Sequence, residues 1–125
     1  CIRDRLVTAQ GVAEALALAG RSGLDLERVR QVMLGGVASS RVLELFGARM
    51  VSRDFKAGIE SRLYHKDLGI ALVTAKQFKV PVPIASLVAT IEDALIAQGY
   101  GDEDMSNLAR FIREGAGIPN GPMKA

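Results

Sequence analysis

Apolar residues along this chain recur at intervals of three and four, and glycine or proline interrupts them often enough to mark off helices. From Leu6 to about Arg21, alanine and leucine fall at helical spacing, and Gly23 stands just past the end, where a left-handed residue closes a helix. Asp25 occupies an N-cap position before Leu26, Val29, Val32 and Met33, a short second helix that stops at Gly35-Gly36. Ser39 or Ser40 caps a third, with Val42, Leu43, Leu45, Phe46 and Met50 inward, and a loop follows around Ser52 to Gly58. A fourth helix, from about Ile59 to Phe78, must end near Val80, because the VPVP of Val80 to Pro83 favours extended backbone before each proline. Pro83 suits the first turn of a fifth, whose Ile84, Leu87, Val88, Ile91, Leu95 and Ile96 line one side until Gly99, with Glu92 and Asp93 on the other. A last helix from about Asp104 to Glu114 presents Met105, Leu108, Phe111 and Ile112, and the proline- and glycine-bearing tail from Gly115 is expected to be loose. No alternation of period two survives beyond a few residues. The predicted fold is all-α, a bundle-like packing of six helices, with short connections that favour antiparallel neighbours.

Composition narrows the class without naming a function. A chain of 125 residues is one domain's worth, and 49% hydrophobic with 24% charged residues is ordinary for a folded globular protein. The formal charge is +2, and the basic residues are spread along the chain, so charge does not announce nucleic acid. Leu24 to Phe46 has the outline of a helix-turn-helix. Its would-be reading helix nevertheless offers Leu43, Phe46 and Met50 where DNA needs exposed polar groups, and only Arg41 and Arg49 as contacts, so no nucleic-acid partner is expected. The single cysteine, Cys1, excludes an internal disulfide, and no apolar run is long enough to cross a bilayer; a reducing cytoplasm is the default and no membrane partner is expected.

The candidate chemistry concentrates in FKAGIESRLYHKDLGIAL, Phe55 to Leu72. Lys66 has Ile59, Leu63, Ile70 and Val73 as its helical neighbours at three, four and seven residues, so an ammonium emerges from an apolar stripe. Two readings stand: the stem covers apolar surface while the amine reaches water, or the lysine lines a cleft and binds an anionic ligand. His65 reads as a solvent-facing histidine, and Asp67 as a partner for Arg62 or for a basic residue on another helix. One histidine and one cysteine make no zinc set, Glu60 with Asp67 is a poor hard-cation pair, and no glycine-rich phosphate loop is present.

The opening CIRDR, Cys1 to Arg5, looks like the translated end of a transposon-type adapter. Residues 1–5 are therefore set aside as a suspected non-native scar, residues 6–114 are read as the helical domain, and 115–125 as a flexible tail. The order GGVASSRVLELFGARMVSRDFKAGIESRLYHKDLGIAL, followed by VPVP and a helix, resembles the C-terminal helical domain of the β-hydroxyacid dehydrogenases, over about Leu6 to Arg113. The likeness is greatest to the 2-hydroxy-3-oxopropionate (tartronate semialdehyde) reductases and 3-hydroxyisobutyrate dehydrogenases. The resemblance implies a parent enzyme that moves hydride between NAD or NADP and a small hydroxy acid or its semialdehyde. It implies an N-terminal Rossmann domain for the dinucleotide, with this domain closing the substrate cleft and making much of the interface of a homo-oligomer. Lys66 matches the family lysine that contacts the cofactor, Phe55 matches a position at the rim of the substrate pocket, and Asp67 belongs to the same Lys-Asp-Leu motif. The family's general-acid lysine, in Lys-x-x-Asn, has no counterpart here. Aligning Ala13-Glu14-Ala15-Leu16 places it just before Cys1, so no catalytic residue lies in this chain and no turnover is expected of it alone. The residues by themselves also allow a stand-alone helical interaction module, homodimeric through apolar helix faces.

Overall fold

The computed structural model describes residues 1–118, and among them it contains six α-helices and no strand. The all-α expectation is met. α1 (Ile2–Arg21) is the axis of the domain and touches α2 (Leu26–Leu34), α4 (Ser61–Gln77), α5 (Pro83–Ala97) and α6 (Leu108–Gly115). Its inward positions are Leu6, Ala9, Val12, Ala13, Leu16 and Ala17, spaced by three and four, and the small side chains let neighbouring helices approach. The helix begins at Ile2, so Ile2 to Arg5 continue it without a break before Leu6. Leu43, Leu68, Val88, Leu95, Met105 and Leu108 complete a single core on α1.

The caps follow the chemistry written into the sequence. Asp25 accepts from the Arg28 amide at 2.8 Å, and Ser40 accepts from the Leu43 amide at 2.9 Å. Gly23 (φ 77°) and Gly99 (φ 92°) close α1 and α5 in left-handed turns, with Leu24 N–H donating to Ala19 and Tyr100 N–H to Leu95. α4 ends in the same turn without glycine: Lys79 sits at φ 56°, and Val80 N–H donates to the Ala75 carbonyl at 2.9 Å. A β-carbon is strained there, so Lys79→Gly is expected to raise stability by about 1 kcal/mol, seen as a Tm increase of roughly 4 °C in thermal denaturation.

The third helix departs from expectation. Leu43–Gly47 is a π-helical turn that runs into the short α3 (Ala48–Ser52). Gly47 is pressed against α1 and α2: an added β-carbon would lie 3.4 Å from Arg30 Cδ on α2 and 3.5 Å from Val12 Cγ1 on α1, and 3.1 Å from Leu43 Cδ1 in its own turn. The wider turn shifts the register, so Leu43 and Met50 face the core while Leu45 is exposed. Arg41 pairs with Glu44 and Arg49 with Asp104, so both arginines of the helix-turn-helix outline are engaged within the domain.

The inward side of α5 also differs. Ile84 and Leu87 are exposed, while Ala85, Val88, Ala89, Ile91, Glu92 and Leu95 are buried, which puts Glu92 inside and not on the outer face. α1 and α4 both pack on α5, so its buried arc is wide enough to include position 92. α6 is preceded by a 3₁₀ turn at Met105–Asn107, capped by Asp104, whose carboxylate accepts from the Ser106 amide at 3.0 Å. Gly115 to Ile118 close α6 in a turn, with Ile118 N–H donating to the Arg113 carbonyl; residues 119–125 of the expected tail lie outside the described residues.

The loop between α3 and α4 is fastened to the loop between α5 and α6. Asp104 N–H donates to the Phe55 carbonyl at 2.9 Å, Ser61 N–H to Glu103 at 2.7 Å and Arg62 N–H to Gly101 at 3.0 Å. Behind them Asn107 Nδ2 donates to the Tyr100 carbonyl at 3.0 Å and to Ser61 Oγ at 3.3 Å.

Candidate functional site

α4 turns Ser61, Tyr64 and Leu68 toward the core. The stripe through Lys66 lies elsewhere: Leu63, Ile70 and Val73 on α4, and Ile59 in the bend before the helix, which begins at Ser61 and not at Ile59, are all exposed, between 46% and 61%. Its neighbour α5 exposes Ile84 and Leu87, and the connection between the two exposes Phe78 and Val80. The Lys66 side chain is 66% exposed, and its Nζ lies 3.3 Å from Asp67 Oδ1, the adjacent residue. An ion pair this open contributes little and leaves the ammonium available. Asp67 thus pairs with its neighbour, while Arg62 holds Glu60 at 2.5 Å and Asp102 at 3.1 Å.

Phe55 occupies a different place. With Arg53, Lys56, Ala57, Gly58, Glu60, Asp102, Glu103 and Arg110 it lines an open depression of about 550 Å³ that Lys66 and Asp67 do not line. Arg110 stacks on Phe55 and Tyr100, 4.8 and 4.4 Å from the ring centres, and holds Glu103 with two hydrogen bonds of 2.7 and 3.2 Å.

His65 is not simply solvent-facing. Its side chain is 28% exposed and sits between two carboxylates on α5: Nδ1 lies 3.3 Å from Glu92 Oε2, and Nε2 lies 2.9 Å from Asp93 Oδ1. Glu92 is 2% exposed, and its Oε1 has no hydrogen-bond partner. Burial first, and the charge of Asp93 second, push the Glu92 carboxyl from its ordinary 4.5 up to about 8. Helical spacing held the signal for this group, since position 92 is four residues from Val88 and three from Leu95. Among the described residues no cluster of three or more histidine, cysteine or acidic side chains could hold a metal ion, and no helix is long and apolar enough to cross a membrane.

The site's chemistry is that of one available cation on an apolar surface, suited to an anionic or carbonyl-bearing ligand with an apolar flank. Known proteins match this chain over most of its length. It is 39% identical over 103 residues to 2-hydroxy-3-oxopropionate reductase of Escherichia coli, covering 82% of this chain and 35% of that protein. It is 32% identical over 108 residues to 2-(hydroxymethyl)glutarate dehydrogenase of Eubacterium barkeri, covering 86% of this chain and 36% of that protein. Among solved structures it superposes on a 3-hydroxyisobutyrate dehydrogenase from Salmonella typhimurium with a TM-score of 0.78 at 29% identity, covering 87% of this chain and 39% of that one. The Mycobacterium tuberculosis 3-hydroxyisobutyrate dehydrogenase gives 0.80 at 25% identity, covering 90% and 40%. The chain therefore spans about a third of the length of the curated relatives it matches. A family model described as the NAD-binding region of NADP-dependent 3-hydroxyisobutyrate dehydrogenase matches residues 6–112, and the chain belongs to that family.

Proposed function

We propose that this chain is the C-terminal helical domain of an NAD(P)-dependent dehydrogenase that transfers hydride between a nicotinamide cofactor and a small β-hydroxy acid or its semialdehyde. The observation that carries the reading is Lys66: a 66% exposed ammonium beside exposed Ile59, Leu63, Ile70 and Val73, with only an adjacent carboxylate as partner among the described residues. An apolar helix face of this kind suits a surface that another domain covers, and a cation within it then lies at the edge of a partly dry cleft. There Lys66 orients the cofactor, and its positive charge draws anionic ligands to the cleft. The bound nicotinamide supplies the hydride. Asp67, 3.3 Å away, holds the ammonium on this side of α4 and stands nearest the substrate side; Phe55 belongs to the rim of the pocket. The proton that accompanies hydride transfer comes from outside these residues, from a lysine that precedes them on the extension of α1.

The reading is tested with two proteins, the chain alone and the chain joined in frame to its natural upstream sequence. The joined protein is expected to oxidise NADH or NADPH in the presence of a small β-semialdehyde of three or four carbons. The chain alone is expected to show no turnover. Turnover by the chain alone, or an upstream sequence that encodes no dinucleotide-binding domain, would overturn the proposal.

A further inference from the structure

The contact between α4 and α5 holds three titratable side chains beside Lys66 that the hydride-transfer reading does not use. His65 immediately precedes Lys66 on α4, and both of its ring nitrogens meet carboxylates of α5: Nδ1 is 3.3 Å from Glu92 Oε2, and Nε2 is 2.9 Å from Asp93 Oδ1. Each contact needs a hydrogen between nitrogen and oxygen, and a neutral imidazole carries only one. With both carboxylates ionised, one contact would set a ring lone pair against an acceptor oxygen. A second proton must therefore be held within the cluster. Glu92 is the place for it: the side chain is 2% exposed, against 67% for Asp93, and burial disfavours the charged form. Glu92 Oε1 has no hydrogen-bond partner, which suits the carbonyl oxygen of a neutral acid better than half of a carboxylate charge. The other elements packed on α5 hold their charges elsewhere. On α1, Arg5 reaches Tyr64 Oη at 3.5 Å and Glu14 accepts from Gln10; on α6, Arg110 holds Glu103, and Arg113 stands near Arg53, Arg110 and Glu114. On α4 itself, Arg62 holds Glu60 and Asp102, and Lys66 holds Asp67. The charge that bears on Glu92 is that of Asp93, and with burial it holds the carboxyl up at about 8.

We infer that His65, Glu92 and Asp93 form a proton-held latch between α4 and α5, in which the Glu92 acid donates to His65 Nδ1 and His65 Nε2–H donates to Asp93, and that this latch fixes the rotation of α4 at the residue next to Lys66. When the second proton leaves on the alkaline side, the one remaining ring hydrogen moves to Nδ1 to meet the buried Glu92 carboxylate, and Asp93, at the surface, turns to water. α4 is then tied to α5 at this level by one contact where it had two. His65 is in this sense a positioning residue for Lys66. That role rests on the cofactor-binding reading of Lys66; the latch itself does not.

His65 is the one histidine of the sequence, so the ring nitrogens of the ¹⁵N-labelled 125-residue chain can be followed by NMR without ambiguity. Near pH 7 the ring is expected in the Nε2–H form, and at pH 9, above the point where Glu92 ionises, in the Nδ1–H form. Glu92→Gln, whose amide N–H supplies the donor at every pH, should hold the Nε2–H form throughout. An imidazolium or an Nδ1–H ring near pH 7, a wild-type ring that keeps one form across the range, or a change of form that persists in Glu92→Gln would overturn the latch. The wild-type spectra carry two of these outcomes by themselves, so the result does not hang on the variant. The positioning role is read in the chain joined to its natural upstream sequence. Its KM for NADH or NADPH is expected to rise about threefold from pH 7 to pH 9, and that of Glu92→Gln to stay level, with the two proteins equal at pH 7. Identical KM profiles in two active proteins would remove the positioning role and leave the cofactor-binding reading of Lys66 standing. A joined protein without turnover would overturn the hydride-transfer reading and the positioning role with it, while the ring signals of the chain alone still decide the latch.

Discussion

Glu92→Gln is expected to make the domain markedly more stable at pH 9 and to change it little at pH 5. The Glu92 carboxyl titrates near 8 in the folded chain against 4.5 when unfolded, because burial disfavours the charged form and Asp93 adds to the penalty. Between those values the folded state holds a proton that the unfolded state has released. Its stability must fall as pH rises through that window, and the full penalty applies above about 8. Glutamine has the shape of the neutral acid and cannot ionise. The gain at pH 9 is on the order of 2–4 kcal/mol, or a Tm higher by roughly 10 °C, and it should vanish near pH 5. Thermal melts of both proteins at half-unit steps from pH 5 to 9 read this directly. Parallel pH profiles would mean that Glu92 is ionised without cost, with His65 as a sufficient partner.

Lys66→Ala in the intact enzyme is expected to lower kcat/KM by about 10²-fold while leaving the melting curve in place. The two halves of this expectation come from the same geometry. The side chain is 66% exposed and its only ion pair among the described residues is to the neighbouring Asp67, so the folded domain loses almost nothing. If a cofactor and a second domain cover the stripe, as proposed, the charge works in a drier medium where it is worth more. Lys66→Arg should recover part of the loss, since charge is kept and point geometry is not. Unchanged kcat/KM in the alanine variant would reduce Lys66 to a solvated lysine on an apolar helix.

Most of the helices were legible because their ends carry specific chemistry: Asp25, Ser40, Gly23, Gly99 and Pro83 act at the positions where local rules put them. Faces were harder to read. α4 and α5 carry apolar residues on more than one side, so spacing alone could not tell the buried set, Tyr64 with Leu68, from the exposed set that surrounds Lys66. The same breadth hid Glu92, whose acidic character argued for an outer position while its spacing argued for the core. The π turn at Leu43–Gly47 could not be read from a period of 3.6, because one inserted residue shifts every face that follows. The Lys66–Asp67 adjacency was plain in the sequence. The partnership of Phe55 with Arg110 was not, since it joins the α3–α4 loop to α6, 55 residues further along the chain.

The bonds from Phe55, Ser61 and Arg62 to Gly101, Glu103 and Asp104 turn α4 and α5 into a closed ring of chain. Shutting a loop of roughly forty residues costs about 3 kcal/mol of chain entropy, and that cost is met once, at the root of the hairpin. The far end, from Phe78 to Val82, adds almost nothing to the cost if it grows, because closure entropy rises only with the logarithm of length. A lineage built on this ring is therefore free to lengthen or re-sequence the hairpin tip, and with it the surface offered to a neighbour, while the root that seats the domain stays unchanged.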